Sequence, residues 1–312
     1  MVPLALAQTL VPLAAMIWLI VGRPASAPDM ALRAVAATVL TFAAAQAGLW
    51  LALPRSTIWL LAALLLLALV VAYRRNATAS GDDAPEGPIT LWGGRALTLA
   101  ALGTGVALSG IAIAGQGQVS PVIDLAFPFD EGRYLVTNGG STGPINAHVT
   151  AASEEPGQVH AVDLVRIDRA GFRTHATELL AQPSDPAAYR IYGTPVIAPC
   201  SGLVEAAVDG SPDGTVPHSG ATTDIGNHVR LRCVSNIVVL GNLRQGSITV
   251  EPGRTVGKGI VIGEVGNSGG EPHLHIHAQR AAARGADPLS GTPVAIRFEG
   301  SSPVRNTQFA IE

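Results

Sequence analysis

The chain has 312 residues and a formal net charge of −3, with 48% hydrophobic but only 14% charged residues. An ordinary soluble domain carries roughly 25% charged residues, so a chain bathed in water along its whole length is excluded. Almost all of the charge deficit lies before residue 116, and the two parts call for different structures.

Four apolar stretches fill the first part: about Pro3 to Gly22, Ala34 to Leu53, Thr57 to Tyr73 and Ala96 to Gly115. Each approaches or reaches the roughly 20 residues a helix needs to cross a bilayer. Trp18, Trp50, Trp59 and Trp92 lie near their ends, where interfacial aromatics concentrate. Gly103, Gly105 and Gly110 in the fourth stretch are small enough to let neighbouring helices approach closely. Arg23 and Arg33 flank the first loop, Arg74, Arg75 and Arg95 the third, and Arg55 alone the second. The positive-inside bias therefore places the first and third loops in the cytoplasm and everything after residue 116 outside it.

Beyond residue 116, glycine and proline punctuate short runs rich in Val and Ile. Strands are expected over Ala161 to Ile167, Thr194 to Ala198, Gly202 to Val208, His228 to Val234, Ile237 to Leu240, Ser247 to Val250, Val261 to Val265 and His273 to Gln279. A short helix is expected near Ala176 to Leu180. The expected organisation is a bundle of about four transmembrane α-helices (1–115), a stalk and entry strand (116–143), and a mostly antiparallel all-β domain (144–312). Cys200 and Cys233 both fall in strand-like segments of the exported part, and a disulfide between neighbouring strands is expected.

The chemistry concentrates in Glu271-Pro272-His273-Leu274-His275-Ile276-His277. Alternate side chains of a strand share a face, so the three imidazoles point into one groove while Leu274 and Ile276 turn toward a core. Imidazole is the commonest protein ligand for zinc. Asp163, a carboxylate inside the apolar run Ala161-Val162-Asp163-Leu164-Val165, needs an ion or a partner to be tolerated there. His160, three residues before it, falls on the opposite face of a strand. His148, on a loop, is free to fold back beside Asp163 and is preferred on geometry, with His160 kept as a further candidate. His175 and His218 stand alone in polar stretches and read as surface residues.

Four ordered segments resemble the lysostaphin/LytM-like zinc endopeptidases, whose β fold is the duplicated hybrid motif. These are Thr194-Pro195-Val196-Ile197-Ala198-Pro199 through Gly202-Leu203-Val204, Gly226-Asn227-His228-Val229, Gly259 to Gly263 with Val265-Gly266-Asn267-Ser268-Gly269, and Pro272-His273-Leu274-His275. The resemblance spans roughly residues 148 to 280 and leaves the apolar helices outside. It implies one Zn²⁺ held by His148, Asp163 and His275, His273 as a catalytic imidazole, and peptide bonds of peptidoglycan as substrate. The first ligand usually sits four residues before the Asp, where this chain has Val159. A branch with N-x-H, an insertion and then A-x-D-L-V is closer, and it points to His148. Asn242 stands where the family carries a second catalytic His, and it is expected to serve as an oxyanion donor or to mark weakened activity. His277 replaces the family's usual Glu.

The resemblance thus implies a metallopeptidase in a bacterial inner (cytoplasmic) membrane, multi-pass, with its C-terminal domain in the periplasm or outside the cell. The alternative is a catalytically weakened domain that binds cell wall or regulates another wall hydrolase. Expected partners are the membrane and peptidoglycan peptides, together with an unidentified membrane or wall-synthesis protein. No nucleic acid is expected.

Overall fold

The computed structural model describes residues 2–22, 24, 26–51, 53–54, 56–78, 88–117, 119–153, 156–175, 182–216 and 225–312. Arg23, Arg55, His218, most of the third loop and the helix expected near residues 176–180 lie outside the described residues. The chain divides into two compact units, Met1–Ile113 and Ala114–Glu312.

The first unit holds four helices, α1 (Val2–Val21), α2 (Ala27–Ala47), α3 (Thr57–Thr78) and α4 (Pro88–Ala114). Helix α2 starts earlier than the apolar run from Ala34 suggests. Ser26 caps it by accepting the Asp29 N–H, and a proline occupies the first turn. Arg33, read from sequence as a loop charge, therefore lies inside α2, buried with its guanidinium 4.7 Å from the centre of the Trp18 ring. Asp29 is likewise buried and pairs with Arg95 at 2.8 Å. Among the described residues, three helices are long and apolar enough to cross a membrane: Ala27–Ala47, Thr57–Ala77 and Leu91–Ala114. The apolar part described for α1, Leu6–Val21, is shorter. Met16, Leu19, Ala37, Leu65, Ala68 and Ala72 pack together inside, whereas Trp59, Leu60, Leu66 and Leu67 face outward. So much exposed apolar surface calls for cover by something other than water.

Among its described residues the second unit is built mainly of β-strands, with three short 3-10 turns. Its strands are β1 (Val122–Leu125), β2 (Gly132–Asn138), β3 (Val162–Arg166), β4 (Pro195–Ile197), β5 (Gly202–Val208), β6 (Asn227–Cys233), β7 (Asn236–Leu243), β8 (Thr255–Val256), β9 (Val261–Glu264), β10 (Leu274–Arg280), β11 (Pro293–Phe298) and β12 (Gln308–Ile311). The main sheet runs β12-β2-β3-β10-β7-β6-β5-β8, with β11 pairing to β10 and to β1; β4 and β9 form a separate pair. Every pairing is antiparallel except β1 with β11. Leu164, Leu231, Val238, Leu240, Leu274 and Ile276 alternate inward along these strands into one core, which Phe127, Tyr134 and Phe298 close at one end.

Ser247–Val250, expected as a strand, is irregular. There the Ser247 hydroxyl accepts the Glu264 N–H at 3.0 Å, where a strand would offer a carbonyl, and Thr249 donates one backbone bond to Ile262. Cys200 and Cys233 are joined, with Cα atoms 6.0 Å apart. The bridge ties the turn before β5 to the end of its antiparallel neighbour β6.

Candidate metal centre

Four strands bring the site together by register. Asn138 on β2 lies opposite Asp163 on β3, Asp163 opposite His275 on β10, and His275 opposite Gly241 on β7. Directly opposed residues hold their Cβ atoms about 4.5–5.5 Å apart on one face, so this row puts carboxylate, amide and imidazole side by side. An irregularity in β2 between Val136 and Asn138 aligns the amide with Asp163. Gly241 ends the row without a side chain, and Ile225 fills its place: a Cβ there would meet the Ile225 Cγ2 at 2.4 Å.

His148 enters from outside the sheet on a single 3-10 turn, Ala147–Val149. Asn146 fixes that turn. Its Oδ1 accepts the His148 N–H at 3.1 Å, and its Nδ2 donates to the carbonyls of Gly140 (2.9 Å) and Ala161 (3.1 Å). Arg305 braces the same loop from the other side, donating to the carbonyls of Thr137 and Pro144 and to Asn138 Oδ1 at 2.9, 2.7 and 2.9 Å. Burial pulls the Arg305 guanidinium down to about 10.

Asp163 is the hub. Its Oδ2 lies 3.0 Å from His148 Nε2 and accepts from Asn138 Nδ2 at 2.8 Å. Its Oδ1 lies 3.1 Å from His275 Nδ1 and 3.6 Å from His273 Nε2. Burial pushes this carboxyl upward, but His148 and His273, with the contacts from His148 and His275, more than offset it and hold it well below the usual carboxylate range. Burial lowers His275, against the pull of Asp163.

The donor set fits a metal ion. One ligand atom from each of His148, Asp163 and His275 lies within 4.8 Å of the others. Zinc–ligand bonds of about 2.0–2.2 Å at tetrahedral angles separate neighbouring donors by roughly 3.3 Å. The closest contacts, His148 Nε2 to Asp163 Oδ2 at 3.0 Å and His275 Nδ1 to Asp163 Oδ1 at 3.1 Å, are near that spacing and engage the two oxygens of the carboxylate separately.

The three histidines of the C-terminal strand part company here. His275 joins the cluster. His273 precedes β10 and is partly exposed, with Nδ1 donating to the Glu271 carbonyl at 2.6 Å. A carbonyl can only accept, so this contact assigns the proton to Nδ1 and leaves the Nε2 lone pair facing Asp163. His277 is wholly buried behind His275, its Nδ1 3.0 Å from His275 Nε2 and its own Nε2 without a partner among the described residues. Burial, reinforced by His275, His148 and His228, lowers it well below the usual imidazole range. His277 thus does not face an open groove, as strand alternation alone suggests.

Asn242, at the end of β7, is fully buried with φ +61°. Its Nδ2 donates to the carbonyls of Glu271 (2.8 Å) and His273 (3.0 Å) and lies 3.1 Å from His273 Nδ1, while its Oδ1 accepts the Gly269 N–H at 2.7 Å. His160 lies outside the cluster, in the turn before β3, where it lines a cavity of about 50 Å³ with Val162, Val304 and Arg297. His228 donates from Nδ1 to the Gly226 carbonyl at 2.9 Å. Asn138 and Arg305 carry no local sequence signal, because their partners come from distant strands. Asn146 had one, as the first residue of the N-x-H segment ending at His148.

The mostly antiparallel β domain thus gathers two imidazoles around a buried carboxylate, a donor set suited to a metal ion. The family model of peptidase family M23 matches residues 187–288, about a third of the chain and the segment from β4 to β10. The matched segment contains Asn242, His273, His275 and His277; His148 and Asp163 lie before it. Among solved structures, the chain is similar to the antimicrobial peptidase lysostaphin from Staphylococcus simulans at 18% identity, covering 43% of this chain and 40% of that one with a TM-score of 0.27. It is similar to CbpA from L. salivarius REN at 24% identity, covering 30% and 51% with a TM-score of 0.22. A catalytic-domain variant of the prophage-encoded M23 protein EnpA from Enterococcus faecalis shares 17% identity, covering 59% and 95% with a TM-score of 0.28. The chain therefore spans about half or less of the first two of these structures. No curated protein gives a match.

Proposed function

We propose that the protein is a membrane-anchored zinc endopeptidase that cuts peptide bonds of peptidoglycan outside the cytoplasm. The observation that carries this is the convergence of His148, Asp163 and His275 from separate elements onto one spot, beside a third imidazole, His273, that is not consumed in holding it. Zinc bound there would polarise the scissile carbonyl and acidify a water. His148, Asp163 and His275 hold the ion; Asn138 and Asn146 keep two of them in place. His273 offers its Nε2 lone pair to accept a proton from the attacking water and return it to the leaving amine, help generally valued at about 10²–10⁴-fold.

Helices α1 to α4 form the anchor in this reading, four crossings of a bacterial inner membrane with the first and third loops in the cytoplasm. The arginine bias and the outward-facing Trp59, Leu60, Leu66 and Leu67 support that placement. Zinc content of the detergent-solubilised chain, followed by release of peptides from purified peptidoglycan by wild type and His273→Ala, tests the whole reading. One zinc per chain and a loss of release in the variant are expected. Zinc binding with no release by wild type would favour a wall-binding or regulatory domain; a zinc-free folded chain would remove the enzyme reading.

A further inference from the structure

We propose that Asn242 is a positioning residue, not an oxyanion donor: it clamps the Gly266–His273 loop so that His273 presents Nε2 to the metal cluster, and the site works with a single catalytic imidazole. Every polar atom of Asn242 is already engaged. Its backbone N–H donates to the Ile225 carbonyl, and its carbonyl accepts from Gly266. Both amide hydrogens go to the carbonyls of Glu271 and His273, and Oδ1 takes the Gly269 N–H. No hydrogen is left for a substrate oxygen.

Its place says the same. Asn242 touches His273 at Nδ1, whereas Asp163 lies on the Nε2 side, so the imidazole ring stands between Asn242 and the cluster. The Glu271 carbonyl is the linchpin. It accepts from Asn242 and from His273 Nδ1 together, so the amide that fixes the carbonyl also fixes the ring's tautomer and direction. The left-handed backbone at Asn242 suits asparagine, which tolerates that region better than most residues. A neutral imidazole in its place would offer one donor and one acceptor where two donors and one acceptor are in use. It would also have to fit a fully enclosed space. Placing the family's histidine here therefore breaks the clamp rather than restoring a catalyst.

The activity arm of the test rests on the peptidase reading; the spectroscopic arm does not. The full chain in detergent, labelled with ¹⁵N-histidine, is compared as wild type, Asn242→Gly and Asn242→His. Glycine is the gentler variant, since it accepts φ +61° and keeps both backbone bonds. Wild type should show His273 in one Nδ1–H tautomer, Asn242→Gly a mixture, and both should bind one zinc. Peptide release from peptidoglycan should fall about 10²-fold in Asn242→Gly, the scale of a misplaced catalytic group, and Asn242→His should not exceed wild type. A wild type that releases no peptide, yet loses the single tautomer in Asn242→Gly, sinks the peptidase reading and supports the clamp. An unchanged His273 tautomer in Asn242→Gly, or greater release by Asn242→His at equal zinc content, overturns it.

Discussion

Replacing Arg305 with Met tests whether the site is braced from behind. The substitution keeps the length of the stem but removes donors to Thr137 O, Pro144 O and Asn138 Oδ1. Asn138 Oδ1 keeps the Ala147 N–H at 3.2 Å and loses only one of two bonds, worth about 1 kcal/mol; leaving each of the other two acceptors without this donor costs about 1–3 kcal/mol, a gross loss of roughly 3–7 kcal/mol in all. Against this, a guanidinium already pulled down to about 10 carries a burial cost of order 3 kcal/mol that disappears with the charge. The net expectation is a loss of about 2 kcal/mol, which for a unit of this size lowers Tm by roughly 4–8 °C. The same bonds hold Asn138 against Asp163 and Pro144 ahead of His148, so zinc affinity should also fall about 10–100-fold, the usual effect of removing a group behind the ligands. Thermal unfolding of the full chain in detergent and competition for zinc with a chromophoric chelator measure the two quantities. A Tm within 2 °C of wild type together with an unchanged affinity would refute the bracing argument.

Other expectations follow from neighbouring features. Reducing the Cys200–Cys233 bridge, which closes a loop across 33 positions, should cost about 3.7 kcal/mol on the loop-entropy estimate; calorimetry with and without reductant measures this, and a shift below 2 °C contradicts it. His277→Leu removes the contact to His275 Nε2 and should weaken zinc binding about 10–100-fold while the fold survives; equal affinity in a titration would show the contact to be idle. Burial lowers His275 and His277 in the folded state, so their share of stability is complete above the unfolded imidazole value of 6.5 and drains away as pH falls below it. Asp163, held low, adds a second loss below its ordinary value of 3.8. Chelator-treated protein should thus melt at steadily lower temperature from pH 7 to 5, and a flat profile over that interval counts against neutral buried imidazoles.

Strand periodicity placed His275 and Asp163 on usable faces, because a register of opposed residues is all their meeting requires. Alternation could not tell His277 from His275. Both share a face, and only the surrounding elements make one a member of the cluster and bury the other behind it. The same limit explains Arg33: hydropathy reads a charge as a break, whereas a guanidinium over Trp18 can remain inside a helix. Strands β1 and β2 lay in a stretch read as a stalk and entry strand, since β1 is short and its partner β11 lies far along the chain. Arg305 shows the general case. Its bonds reach residues 161 to 168 positions away, and no local pattern encodes them.

The row Asn138–Asp163–His275–Gly241 also orders events in time. Asp163 and His275 are 112 positions apart, and their strands must lie side by side before the donors converge. A nascent chain that has delivered β2 and β3 therefore owns half a coordination sphere and no competent trap. On the zinc reading, ion capture would wait for β10 to arrive and pair, so the metal would be drawn from whichever compartment receives that strand, before β11, β12 and Arg305 complete the domain around it.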